Sequence, residues 1–271
     1  MRWINRRPAQ RNALALTLLP FGAVGVAYLV ASAARLAENA GDKLLPSLAT
    51  MRETVWRMAA VPDQRTGDLL LWVDTVASLE RLALGLGIAT LVALVAGVAI
   101  GMLPYARATF GPFVAALSMV PPLALLPILF IVMGLGEASK IALIAIGVAP
   151  VMIRDLALRV QELPRAQMTK AQTLGGSSWQ VALRVVLPQA LPRLLESVKL
   201  QLGPAWLFLI AAEAISAEAG LGYRIFLVRR FLSMDVILPY VLWITLLALL
   251  MNWVLETIRR RAFPWADLEG A

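Results

Sequence analysis

TKAQTLGGSSWQVALRVVLP, residues 169–188, is the stretch on which the reading of this chain turns, a polar and partly basic segment inside an otherwise apolar sequence. Met168, Ala171 and Leu174 fall at helical spacing, and Gly175-Gly176 then offers a helix-breaking pair. Ser177 is placed to cap a second helix, on which Trp179, Leu183 and Val186 recur along one face before Pro188 discourages continuation. The pattern predicts helix, turn, helix, each with one apolar face. Arg165, Lys170 and Arg184 make the element too charged to span a bilayer. Its residues fit two roles equally well: docking in a groove of another protein, or lying on a lipid surface.

Outward from this element the composition is that of a membrane protein. Of 271 residues, 60% are hydrophobic, and the mean hydropathy of +0.75 exceeds what a soluble core needs. The 25 Lys and Arg against 17 Asp and Glu do not cluster with aromatics in a soluble segment, so they read as a topology signal rather than a nucleic-acid surface. No Cys and no His are present, which removes disulfides, thiol nucleophiles, imidazole bases and the usual zinc ligands. No metal site and no catalytic constellation is expected.

Arg2, Arg6, Arg7 and Arg11 precede an uncharged run from Asn12 to Ala34, long enough for a first transmembrane helix; it is also longer than the apolar core of a cleaved leader. Residues 35–75 read as an extramembrane linker, with an amphipathic helix opening at Leu45-Pro46-Ser47 and running to about Ala60. Residues 76–258 form the expected membrane core. Within it, Leu82 to Ala106 is an uncharged span whose Gly85, Gly87, Gly97 and Gly101 supply small faces. Glu80 and Arg81 are expected at its start as a mutual ion pair, a role in the permeation path being the alternative. Ala108 to Gly136, interrupted by Pro112, Pro121, Pro122 and Pro127, predicts a kinked or locally unwound helix of the kind that lines a transport path.

Ile141 to Ile153 and Leu200 to Ala212 are each too short for a clear span, and charge placement decides their status. Arg259, Arg260 and Arg261 follow the last strong span, Val236 to Leu255, as arginines precede the first, so both ends are expected on the cytoplasmic side. Four spans would strand Arg154, Arg159, Arg165, Lys170, Arg184 and Arg193 outside, whereas six place them inside. Between the fifth and sixth spans, Arg224, Arg229 and Arg230 follow a Gly220-Leu221-Gly222 turn. They are candidates for contact with a binding protein or an anionic solute, the rival expectation being ion pairs with Glu218 and Asp235 on a solvated face.

Ala171, Gly175, Val185, Leu187 and Pro188 match the spacing of the Glu-Ala-Ala motif of ABC importer permeases: Glu-Ala-Ala, three residues, Gly, nine residues, then Ile, any residue, Leu-Pro. Thr169 and Lys170 replace its first two positions. Met119 to Ile141, MVPPLALLPILFIVMGLGEASKI, resembles the nitrate, sulfonate and taurine branch, in which Pro-Pro-Leu-Ala and Gly-Leu-Gly-Glu with Ser-Lys are typical. Ala212-Glu213 followed by Gly220-Leu221-Gly222 matches the end of the family's fifth span.

The resemblance implies an all-α membrane protein of about six transmembrane helices with a cytoplasmic coupling-helix loop at 154–190 and a cytoplasmic tail at 259–271. It implies a bacterial inner-membrane location, a homodimer, two cytoplasmic ATPase subunits and a periplasmic solute-binding protein. Thr169, Lys170, Ala171, Gly175, Gly176, Ser177, Trp179, Leu187 and Pro188 would contact the ATPase. Pro121, Pro122, Pro127, Met133, Glu137 and Glu213 are candidates for the translocation path, with Glu213 as a gate element or a solute contact. The chain carries no phosphate-binding loop, so ATP and Mg would bind to the partner subunit, with no cofactor here. The solute is expected to be nitrate-, sulfonate- or taurine-like, and a small nitrogen compound such as urea or guanidinium is the alternative. A membrane enzyme using Glu213 and Glu218, or a stand-alone transporter, would lack these partners.

Overall fold

The computed structural model describes residues 10–266, apart from positions 40 and 65. Arg2, Arg6, Arg7 and the side chain of Arg11 lie outside the described residues, as does the end of the expected tail. All regular structure among the described residues is helical. The chain divides into two compact units, 1–69 with 228–239, and 70–227 with 240–271.

The first unit holds α1 (Gln10–Glu38) and α2 (Leu48–Ala60). Two hydroxyls of α1 satisfy carbonyls of the following turn: Tyr28 donates to Pro46 at 2.6 Å and Ser32 to Leu45 at 2.9 Å. Ser47 caps α2, its hydroxyl accepting the Thr50 N–H at 3.1 Å. Met51, Thr54 and Met58 form the buried stripe of α2, and Thr54 donates to Asp235 at 3.0 Å.

The second unit is built on α3 (Leu70–Met102), α6 (Glu137–Gln161) and α9 (Leu187–Ser216), joined by α11 (Met234–Ala262). The core therefore starts at Leu70, six residues before the expected boundary at 76, and α3 begins well ahead of the predicted Leu82. Asp74, Ser78 and Arg81 lie inside this helix because each has a buried partner; polar side chains here do not mark a membrane surface. The α3–α6 contact is set by glycine: a Cβ at Gly85 would stand 2.7 Å from Ile144, at Gly97 2.9 Å from Leu156 and at Gly101 2.5 Å from Val160. Close approach of this kind supplies the dispersion contact that apolar faces in lipid otherwise lack. Gly87 is the exception to the predicted small face, with nothing within 4 Å.

Pro104 opens α4 (Pro104–Leu117), and Arg107 from its first turns donates to the carbonyls of Ile100 and Gly101, closing the C-terminus of α3. The proline-rich stretch then breaks the path as expected. A 3₁₀ turn at Pro122–Leu125 leads into α5 (Leu126–Met133), bent by 85° from α4. Among the described residues, five helices are long and apolar enough to cross a membrane, and the bent pair makes a sixth if counted as one span.

The helix–turn–helix is present as α7 (Arg165–Thr173) and α8 (Ser178–Val181). Pro188, however, stops nothing. The chain passes through a π turn at Ala182–Val186 into α9, giving one run from Ser178 to Ser216. The wider turn lets the Leu187 N–H reach the Ala182 carbonyl. Pro188 then sits in the opening turn of a new α-helical register, where its missing donor and fixed φ are tolerated.

Candidate functional site

Two arrangements in the second unit carry functional chemistry. The first is the helix–turn–helix. Gly175 takes φ +81°, a left-handed conformation open to glycine, so the turn is fixed by residue type. The Gly176 N–H bonds to the Ala171 carbonyl at 3.0 Å, and a Cβ on Gly176 would stand 2.7 Å from that oxygen. Ser177 and Gln180 then make a reciprocal capping box, at 2.8 and 3.3 Å. Gln189 donates to Gln167 at 3.0 Å, tying α7 to the foot of α9.

Val181 and Val186 are the buried anchors of this element, whereas Leu174 is 80% exposed and Trp179 71%. Thr169, Lys170 and Ser177 are exposed too, while Ala171, Leu187 and Pro188 are half-buried. Trp179 lines an apolar groove with Val98, Met102 and Leu183, and an indole left this exposed to water forgoes roughly 2 kcal/mol of burial.

The second arrangement is a buried charge network. On α3, Asp74, Ser78 and Arg81 line one face at helical spacing. Arg81 donates to Glu213 on α9 at 2.7 Å, to the Ala219 carbonyl at 2.7 Å, and through two nitrogens to Glu137 at the start of α6, one of these bonds at 2.9 Å. Lys140 reaches the same Glu137 carboxylate at 2.9 Å. Glu213 is fully buried and also accepts from Ser78 at 2.7 Å and from the Gly222 N–H at 2.8 Å. The Leu221 N–H donates to Ser78 at 2.8 Å and the Gly220 N–H to Asp74 at 3.0 Å, so the Gly-Leu-Gly backbone is itself a ligand of the network. Helix α10 (Leu221–Arg229) then returns Arg224 onto Asp74 at 2.8 Å, and Tyr240 of α11 donates to the same carboxylate at 2.9 Å.

The two glycines are required by contact. A Cβ at Gly220, where φ is +138°, would lie 2.5 Å from Glu213, and at Gly222 2.8 Å from the Ile210 backbone. Three cations, Arg81, Lys140 and Arg224, thus face three carboxylates, Asp74, Glu137 and Glu213. Such a cluster persists in an apolar surround because each charge is paired and hydrogen-bonded. Glu137 is the member open to solvent, its side chain 57% exposed against 0% for Glu213.

Several expectations are corrected here. Arg81 does not pair with Glu80, which is exposed; placed eleven residues inside α3, it turns to α6 and α9 instead. The ion pair of Arg224 is with Asp74 rather than with Glu218 or Asp235, its side chain 15% exposed. Arg229 and Arg230 are exposed. The Glu213 carboxylate is engaged by Ser78, Arg81 and the Gly222 N–H. The prolines are not gathered at this network: Pro122 packs on Gly147, roughly three turns further along α6, while Pro121, Pro127 and Met133 are exposed. Asp74, Ser78 and Tyr240 went unassigned in the sequence, and Arg81 was expected on Glu80 rather than on Glu137 and Glu213. Their signal was the 74, 78, 81 spacing, which reads as one helix face once the helix is taken to begin at Leu70.

Residues 88–265, spanning α3 to α11, match the family model described as the binding-protein-dependent transport system inner membrane component. The chain belongs to this family. Over 199 residues it is 39% identical to the taurine transport system permease protein TauC of Escherichia coli K12, covering 73% of this chain and 72% of the relative. The putative aliphatic sulfonates transport permease protein SsuC of the same organism is 29% identical over 247 residues, 91% of this chain and 90% of the relative. Among solved structures, a chain of the MetNI methionine ABC transporter in an inward-facing conformation superposes with a TM-score of 0.64 at 20% identity, over 73% of this chain and 99% of that one. That likeness establishes the fold. The permease is an ABC importer membrane subunit of the taurine, sulfonate and nitrate type, not an enzyme.

Proposed function

We propose that two copies of this permease form the translocation path of an ATP-driven importer for a small sulfonate- or taurine-like solute in the bacterial inner membrane. In this reading both termini are cytoplasmic, and a periplasmic binding protein delivers the solute. Two cytoplasmic ATPase subunits bind ATP and Mg, and each receives one α7–turn–α8 element in a surface cleft. Closure of the ATPases draws the paired elements together and rocks the helices from inward-open to outward-open; hydrolysis resets them. The continuous helical run from Ser178 to Ser216 connects that element to Glu213. Arg229 and Arg230 are the proposed contacts for the binding protein, and the bend at Pro121, Pro122 and Pro127, with Met133 and Glu137, the proposed path lining.

The observation that carries this reading is the exposure of Leu174 and Trp179 on an element whose turn and cap are fixed by Gly175 and Ser177. Bare apolar side chains on a preorganised scaffold are what a docking surface requires. The solute class is supported by the relatives named for taurine and aliphatic sulfonates. Since Arg224 is committed to Asp74, the arginines after Gly222 no longer argue for an anion by themselves. The test is reconstitution in proteoliposomes with the ATPase and binding protein from the same host. ATP-dependent accumulation of taurine or an alkyl sulfonate is expected, and equal uptake by the permease alone without ATP would refute the proposal.

A further inference from the structure

Between α3, α9 and α11 the second unit carries a groove of about 600 Å³. Leu86, Gly87 and Leu91 form its α3 wall, Leu202 stands on α9, and Met251 and Leu255 line α11. The one hydroxyl in the lining, Thr90, donates back to the Leu86 carbonyl at 2.7 Å, so the lining side chains offer a ligand no uncommitted hydrogen-bond donor. A cavity of that chemistry accepts hydrocarbon and not water.

The Leu255 end of the groove is closed by charge. Lys199 of α9 donates to Glu256 of α11 at 2.6 Å, and Arg259 and Arg260 reach the same carboxylate at 2.9 and 2.6 Å. Arg259 is also 3.9 Å from Glu196, which Arg193 approaches at 3.3 Å. Four cations thus meet two carboxylates, an excess of two positive charges, and the exposed Arg261 follows next in sequence. Arg259 continues the Met251–Leu255 stripe one turn further. The Arg260 side chain is 68% exposed despite its pairing with Glu256.

We propose that this groove is a binding site for an anionic phospholipid, one acyl chain lying along Gly87, Leu202 and Met251 and the phosphate resting against Arg260 and Arg261. The apolar part supplies chain burial without polar cost, and the cationic floor selects the headgroup charge. A neutral headgroup would leave the positive excess uncompensated beside hydrocarbon. The site lies apart from both the helix–turn–helix and the Arg81 network, and it holds whichever solute the permease carries.

The test uses the full chain in nanodiscs. It contains no cysteine, so Gly87→Cys gives a unique thiol, and nothing lies within 4 Å of a Cβ at that position. A fluorophore there is quenched with brominated palmitoyl-oleoyl phosphatidylglycerol or the phosphatidylcholine of the same chains. Half-quenching is expected at a mole fraction about thirtyfold lower for phosphatidylglycerol, the factor for two engaged cations near a membrane surface at about 1 kcal/mol each. The double variant Arg260→Gln with Arg261→Gln should remove the preference while leaving quenching by both lipids, and free glycerol phosphate should displace neither. Equal quenching by both lipids in the unsubstituted background overturns the proposal, as does a preference that survives loss of both arginines. Absence of quenching by either lipid, the result if a second copy of the chain fills the groove, also overturns it.

Discussion

Removing Arg81 tests the charge network most severely. In Arg81→Met the aliphatic stem is kept, and the guanidinium that serves Glu213, Glu137 and the Ala219 carbonyl is lost. Glu213, fully buried, then retains Ser78 and the Gly222 N–H but no counter-charge. Stranding a buried charge in this way costs about 3 to 5 kcal/mol. The Glu137 contribution adds little, since solvent screens a side chain that is 57% exposed. For a chain of this size the loss corresponds to a drop in thermal midpoint of roughly 10 °C, taking about 2 to 4 °C per kcal/mol. Intrinsic tryptophan fluorescence of the detergent-solubilised permease measures it. The discriminating variant is the double substitution Arg81→Met with Glu213→Gln, which removes the stranded charge and should recover about half of the loss, a coupling of about 2 kcal/mol. Strict additivity of the two substitutions would refute the claim that Arg81 is there to hold Glu213.

Three further outcomes are expected from the geometry. Gly175→Asp places a side chain at φ +81° in the coupling turn; membrane insertion should be normal, while co-purification with the ATPase and coupled uptake are lost, and unimpaired uptake would remove the docking assignment. Trp179→Ala should weaken ATPase association by about 2 kcal/mol, some thirtyfold, with the thermal midpoint of the isolated permease unchanged, because the indole is exposed in the chain alone; binding assays in detergent read this directly. Gly101→Leu forces a side chain into Val160, where even a Cβ would stand at 2.5 Å, and should cost about 1 to 3 kcal/mol, whereas Gly87→Leu should be nearly neutral in the same unfolding assay.

Most of the architecture was legible because its signals were local. The proline cluster at 121–127 bends the chain, Gly175 turns it, and Ser177 caps the next helix, each through the backbone preference of one residue type. The extents of α6 and α9 were less legible, since the uncharged runs 141–153 and 200–212 reach span length only by taking Lys140, Glu196 and Lys199 into the helices. The network was less legible, because its pairs join residues more than a hundred positions apart, such as Ser78 with Glu213 and Asp74 with Arg224. Hydropathy treats Asp74 and Arg81 as helix boundaries when burial with partners makes them interior. Pro188 misled for a related reason: a proline at the first turn of a new helical register is harmless, and the π turn that creates that register leaves no mark in composition.

A pull-down of the tagged permease from its native host in mild detergent, with its companions identified by mass spectrometry, tests the central claim most directly. The account predicts an ABC ATPase in the eluate at one copy per permease, lost when Trp179 and Leu174 are both replaced by Ser, together with a solute-binding protein. Recovery of the permease alone, or of an ATPase whose binding ignores those substitutions, would contradict it.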